Sequence, residues 1–202
     1  MRIATHSRRL LAVGALASVL LSGGGTAVAA PAQPAAAASV GPYGQLRPLA
    51  DLSAQRLATA DLVAAAKYGT DSPIDDPARE RQVLDAVAGQ AKEVGADPEA
   101  TVRIFRDQIE ANKVVQRGLF RRWDADPSQA PEERPDLAEV RKEINRVNGE
   151  LVRGIAASAD ARTAPYCGGV LTAAAVHVRH ENRLDTLHSV ALGRALPSVC
   201  AH

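Results

Sequence analysis

Between Leu49 and Tyr68 the apolar positions Leu49, Leu52, Ala60 and Val63 recur on one face of a 3.6-residue period, and Gly69 follows them. That pattern predicts an amphipathic helix with a glycine stop. Asp76-Pro77 then supplies an N-cap followed by a proline at the first helical position, opening a predicted helix to about Val94 that Gly95 ends. Asp97-Pro98 repeats the device. The helix it opens is long, reaching about Trp123, with Phe105, Ile109, Leu119 and Trp123 at helical spacing. Residues 124–135 contain Pro127, Pro131, Pro135 and several charges, so they predict a loop. Asp136-Leu137-Ala138-Glu139 resembles a capping box and begins a helix through Leu137, Ile144, Leu151 and Ile155. Pro165 to Cys200 predicts one or two shorter helices. No run alternates convincingly as a strand, no glycine-rich phosphate loop follows one, and no repeat period stands out, so the fold class is an all-α helical bundle.

The N-terminus changes the picture of where the chain works. Arg2, Arg8 and Arg9 precede an apolar run from Leu10 to Leu21 and the small residues Thr26-Ala27-Val28-Ala29-Ala30. This is the layout of a secretory signal peptide over residues 1–29. The apolar run is too short to span a bilayer, and no lipidation cysteine follows it, so the expectation is a secreted or periplasmic protein without a membrane anchor. Residues 30–48, rich in Ala, Pro and Gly, predict a flexible lead-in, leaving residues 49–202 as one domain.

The chain has 202 residues, 46% of them hydrophobic, which suffices for one real core. Its net charge of +1 becomes −2 once a leader with three arginines and no acids is removed. That balance argues against a nucleic-acid partner. An aromatic content of 3% argues against a β-sandwich or barrel. Cys167 and Cys200 lack CxxC spacing and sit in a chain bound for an oxidising compartment, so a disulfide tying the last helical segment to the body is expected.

Several polar residues interrupt the apolar stripes. Arg56 and Lys67, eleven residues apart, share a helix face with Leu49, Leu52, Ala60 and Val63. Asn112 and Gln116 stand at i and i+4 within the stripe of the third helix. Arg141 lies between Leu137 and Ile144, with Asn148 two turns on, and Arg79 sits in the first turn of the second helix. Unpaired buried cations are costly, so either Arg56 meets an acid from another helix and Lys67 snorkels to water, or an anionic ligand occupies the interior. Four inward cations without matching acids favour a pocket for a small multivalent anion. The five histidines, among them His177, His180 and His188, form no metal-ligand pattern and are expected in surface or capping roles.

The stretches Gln55-Arg56-Leu57 through Ala66-Lys67-Tyr68, Asp75-Asp76-Pro77-Ala78-Arg79, Asp107-Gln108-Ile109 through Gln116, and Pro135-Asp136-Leu137 through Arg141 resemble the helical chorismate mutases, in particular the exported bacterial subclass. The spacing of Cys167 and Cys200 is similar to that subclass too. The resemblance implies conversion of chorismate to prephenate by an intramolecular Claisen rearrangement, without cofactor or metal. It implies Arg56, Arg79 and Arg141 as carboxylate ligands, with Lys67 and Gln116 at the ether oxygen. Asn112 matches a position near a carboxylate, and Asp76 and Glu80 join the substrate-binding set, Glu80 as a candidate for the substrate hydroxyl. Val83 departs from the pattern, where a similar exported enzyme has a polar residue. A homodimer is also implied. The competing class is an exported helical binding module that holds a small dicarboxylate without turning it over.

Overall fold

The computed structural model describes residues 40–200, and the expected signal peptide lies outside them. The described residues form seven α-helices: α1 Pro42–Lys67, α2 Pro77–Glu93, α3 Pro98–Ala125, α4 Leu137–Ala157, α5 Ala159–Thr163, α6 Cys167–Glu181 and α7 Thr186–Ala195. Among the described residues no strand occurs, and no helix is long and apolar enough to cross a membrane.

The predicted punctuation acts as its chemistry suggests. The Asp76 side chain accepts from the Arg79 amide, and Asp97 accepts from the amides of Glu99 and Ala100, so each satisfies donors orphaned at a helix start. Gly95 ends α2 with φ +75°, while Ala96 N–H reaches back to the Ala91 carbonyl at 2.8 Å. This six-to-one closure needs a left-handed residue, which glycine supplies without steric cost. Gly69 after α1 is left-handed too, with φ +66°, but there the next amide, Thr70 N–H, turns back only to the Lys67 carbonyl at 3.0 Å. At α4 only half of the capping box forms. Asp136 accepts from the Ala138 amide at 2.7 Å, but Glu139 pairs forward with Lys142 at 2.7 Å instead of reaching back.

Part of the segment expected to be a flexible lead-in is helical, because Pro42–Pro48 is the opening of α1, and residues 30–39 of that segment lie outside the described residues. Leu46, Leu49 and Ala50 are fully buried, and Arg47 Nη2 meets Glu181 of α6 at 2.6 Å. Pro42 occupies the tolerated first position. Pro48 lies inside the helix, yet both it and Gly44 are exposed, so water can serve the carbonyl that Pro48 cannot.

Helix α1 runs through the middle of the domain, packed by α3, α4, α6 and α7. Its buried alanines, Ala50, Ala54, Ala60, Ala64 and Ala65, let these neighbours approach from several sides. The tail between Pro165 and Cys200 forms two helices, α6 and α7, and the short α5 precedes it. A Cys167–Cys200 disulfide joins the start of α6 to the end of the described chain. His188 is not a simple surface residue. It bridges Asp61 of α1 at 3.0 Å and Asp185, the N-cap of α7, at 2.8 Å.

Candidate active site

One cleft is walled by α1, the segment preceding α2, α2 itself, α3 and α4, and encloses about 690 Å³ between protein atoms, its open mouth included. All eight sequence-derived candidates line it: Arg56, Lys67, Asp76, Arg79, Glu80, Asn112, Gln116 and Arg141. Val63, Ile74, Val83, Ile109, Leu137 and Ile144 supply its apolar walls. On α4 the half-buried Leu137 and Ile144 thus face the cleft, while Val140, Val147, Leu151 and Ile155 enter the core.

The floor is Arg56, only 5% exposed. No carboxylate among the described residues meets it. Its Nε donates to Asn148 Oδ1 at 2.9 Å and its Nη1 to the Gln108 carbonyl at 2.8 Å, and Phe105 lies 6.0 Å from its Cζ. Burial lowers its pKa to about 10, which still leaves it charged at neutral pH. Nη2 makes no hydrogen bond to the described residues.

Lys67 ends α1 half-buried, and its Nζ donates to the Pro73 carbonyl at 2.7 Å, which draws the 69–76 segment toward the mouth. Its pKa is lowered, first by burial; Asp76 acts against this, and the like charge of Arg141 adds to it. Arg141 itself makes no ion pair or hydrogen bond among the described residues. Two cations brought together in a half-buried cleft repel until an anion lies between them.

On α3, Gln116 Nε2 donates to Asn112 Oδ1 at 2.6 Å, leaving a second amide hydrogen uncommitted. Gln116 Oε1 is buried and without a partner. As a donor, Asn112 makes only a long contact from Nδ2 to the Arg56 carbonyl, 3.5 Å. Asp76 serves chiefly as the cap of α2, which aims the helix start and Arg79 at the cleft, and Arg79 Nη1 donates to Gln82 at 3.2 Å.

Sequence reasoning missed Lys113. It is 8% exposed, lines the same cleft, and carries three carboxylates: Glu80 at 2.8 Å, Glu110 at 2.9 Å and Asp75 at 3.2 Å. Burial acts to lower its pKa, but the carboxylates of Glu80, Glu110 and Asp75 outweigh that and raise it. One residue beyond Asn112, it lies off the apolar stripe, and only the i−3 Glu110 was a signal within its own helix.

The lining contains no Ser, Thr, Cys or His. Such a site can bind and fold a polyanion and donate hydrogen bonds to an oxygen within it, but it offers no hydroxyl, thiol or imidazole nucleophile. A secreted chorismate mutase of Mycolicibacterium smegmatis is 40% identical over 155 residues, spanning 77% of this chain and 86% of its own length. The chain belongs to the chorismate mutase family. A model of the type II chorismate mutases matches residues 47–117, which hold α1, α2 and most of α3. The secreted chorismate mutase of Mycobacterium tuberculosis is 35% identical over 156 residues, 77% of this chain and 78% of that one. Among solved structures, the chorismate mutase of Burkholderia phymatum superposes with a TM-score of 0.75 at 34% identity, covering 80% of this chain and 99% of that one. The family match therefore takes in the bundle together with all four helices that wall the cleft.

Proposed function

We propose that the cleft converts chorismate to prephenate by an intramolecular Claisen rearrangement, holding the substrate in a compact chair-like geometry. Chorismate carries two carboxylates and an enolpyruvyl ether. Arg56, Arg79 and Arg141 clamp the carboxylates, and Lys67 with the second amide hydrogen of Gln116 stabilises charge building on the ether oxygen. Asn112 lies beside a carboxylate, Asp76 holds the α2 start in register, and Glu80 accepts the substrate hydroxyl. No cofactor and no covalent intermediate are required.

The observation that carries this reading is the convergence of Lys67, Arg56 and Arg141 on one cleft with no carboxylate bonded to any of them. A dicarboxylate-binding module would need the arginines but not a lysine and an amide donor on the same wall. The relatives that are named secreted agree with export of this chain through a signal peptide at residues 1–29, and we read the mature enzyme as a homodimer. Purified mature protein mixed with chorismate should deplete substrate absorbance and yield prephenate. Binding without prephenate formation would favour the module instead.

A further inference from the structure

Lys113 is the cleft-lining cation to which the reading above gives no task. An ammonium group has three hydrogens and no lone pair. Three carboxylates surround this one, Glu80 at 2.8 Å, Glu110 at 2.9 Å and Asp75 at 3.2 Å, the contact to Glu110 having hydrogen-bond geometry. Lys113 therefore has its charge compensated by the protein itself, although it stands in the wall. Its partners come from three places: Asp75 from the 69–76 segment, Glu80 from the first turn of α2, and Glu110 from its own helix. Arg117, one turn on, holds the same Asp75 through contacts of 2.7 and 2.8 Å, so the tether of that segment to α3 is doubled. The link to Glu80 is not. Among the described residues Glu80 has Lys113 as its sole ion-pair partner, through Oε1, which leaves Oε2 to accept a further donor.

We propose that Lys113 is a positioning residue that fixes Glu80 so that its other carboxylate oxygen accepts the substrate's hydroxyl, making the pair a determinant of preference for a hydroxylated substrate. Without Lys113, Glu80 would be free to swing toward Arg79 or Arg141 and neutralise a cation meant for the ligand carboxylates. The ion pair thus keeps the one flexible acid of the cleft from competing with substrate. This inference rests on the chorismate reading and on the role given there to Glu80.

The test compares steady-state kinetics on chorismate for the wild type, Lys113→Met, Lys113→Arg, Glu80→Gln and the Lys113→Met/Glu80→Gln double variant. A contact made equally in the bound and transition states is read in KM. Lys113→Met should raise KM about fivefold or more with kcat within about twofold, Lys113→Arg should recover most of that loss, and in the Glu80→Gln background Lys113→Met should add less than about twofold. Equal losses in both backgrounds, no recovery with Arg, or no effect of Lys113→Met would overturn the assignment. Should Lys113→Met fail to fold, Lys113→Met/Glu110→Gln removes one stranded carboxylate and carries the same comparison. A wild type that leaves chorismate unchanged would sink the functional reading and this inference together, whereas an active wild type with additive variants sinks only the inference.

Discussion

Arg56 and Arg162 are both buried, at 5% and 7% exposure, and neither meets a carboxylate among the described residues. Their surroundings give them different work. Arg162, in α5, donates Nε to the Val199 carbonyl at 2.8 Å and Nη1 to the Ile155 carbonyl at 3.4 Å. Both acceptors belong to closing turns, Ile155 in the last turn of α4 and Val199 in the short 3₁₀ turn before Cys200, where carbonyls lack helical partners and carry partial negative charge. The disulfide-tied end of the domain thereby satisfies its own cation. Arg56 instead takes one amide oxygen and one carbonyl from mid-helix positions, and it lines a cleft shared with Lys67 and Arg141. Burial of a cation away from acids is thus not itself a mark of function. What separates the two is whether the protein supplies carbonyls that needed a donor anyway.

The comparison breaks most visibly in the arginine variants. Arg56→Ala and Arg141→Ala should each lose about 1.5–3 kcal/mol or more of transition-state stabilisation, roughly ten- to hundredfold or beyond in kcat/KM, while circular dichroism keeps its helical signature. Normal turnover in either variant would remove that arginine from the clamp. Gln116→Glu sharpens the same side. Gln116 donates at any working pH, whereas a carboxyl must be protonated to donate, so the variant should be active mainly in acid while the native enzyme keeps its activity through neutral pH. Burial at 4% exposure favours the protonated form and nearby Lys67 opposes it. Coinciding pH profiles for the two proteins would show that Gln116 is not the ether-oxygen donor.

On the other side, reduction of Cys167–Cys200, which closes a 33-residue separation, should lower stability by about 3 kcal/mol without reaching the cleft. Arg162→Met should act likewise, by about 1–3 kcal/mol, by stranding the Val199 carbonyl. Denaturant melts paired with kcat/KM measurements check both, and a matching loss of activity at temperatures where the protein stays folded would erase the distinction between the two regions.

A pH-dependent effect is expected at His188. Hydrogen bonds to Asp61, and then to Asp185, raise its pKa to about 9 against the opposing effect of burial. A raised folded-state pKa stabilises the fold fully below the ordinary value near 6.5, and that contribution fades as pH climbs through 9. Melting temperature should therefore fall between pH 6.5 and 9 by an amount equivalent to about 1–3 kcal/mol, and His188→Gln should flatten that slope. An unchanged slope in the variant would assign the pH dependence to other groups.

Much of this was legible because its causes are local. An Asp-Pro pair caps and pre-orders the helix that follows it, a glycine ends one, and a 3.6-residue period marks the buried face, so α2, α3 and α4 start where the sequence predicts. The inward polar set followed from the same periodicity, since the angle between two side chains on one helix depends only on their separation. Composition averages over a segment and so misses the helicity of Pro42–Pro48, where Leu46 is fully buried and Arg47 reaches Glu181 of α6, 134 positions along the chain. Lys113 was invisible because Glu80 and Asp75 lie 33 and 38 positions before it and come within 3.2 Å only once α2 and its preceding segment pack on α3. The partners of Arg56 stand 52 and 92 residues away, and those of Arg162 are helix-end carbonyls that exist only after the ends have formed. The helices and the faces they bury follow from residue spacing and capping, which are local and written along the chain. Which buried cation is satisfied and which is left for a ligand was decided only by tertiary packing, because hydrogen-bond acceptors are assigned by proximity in space.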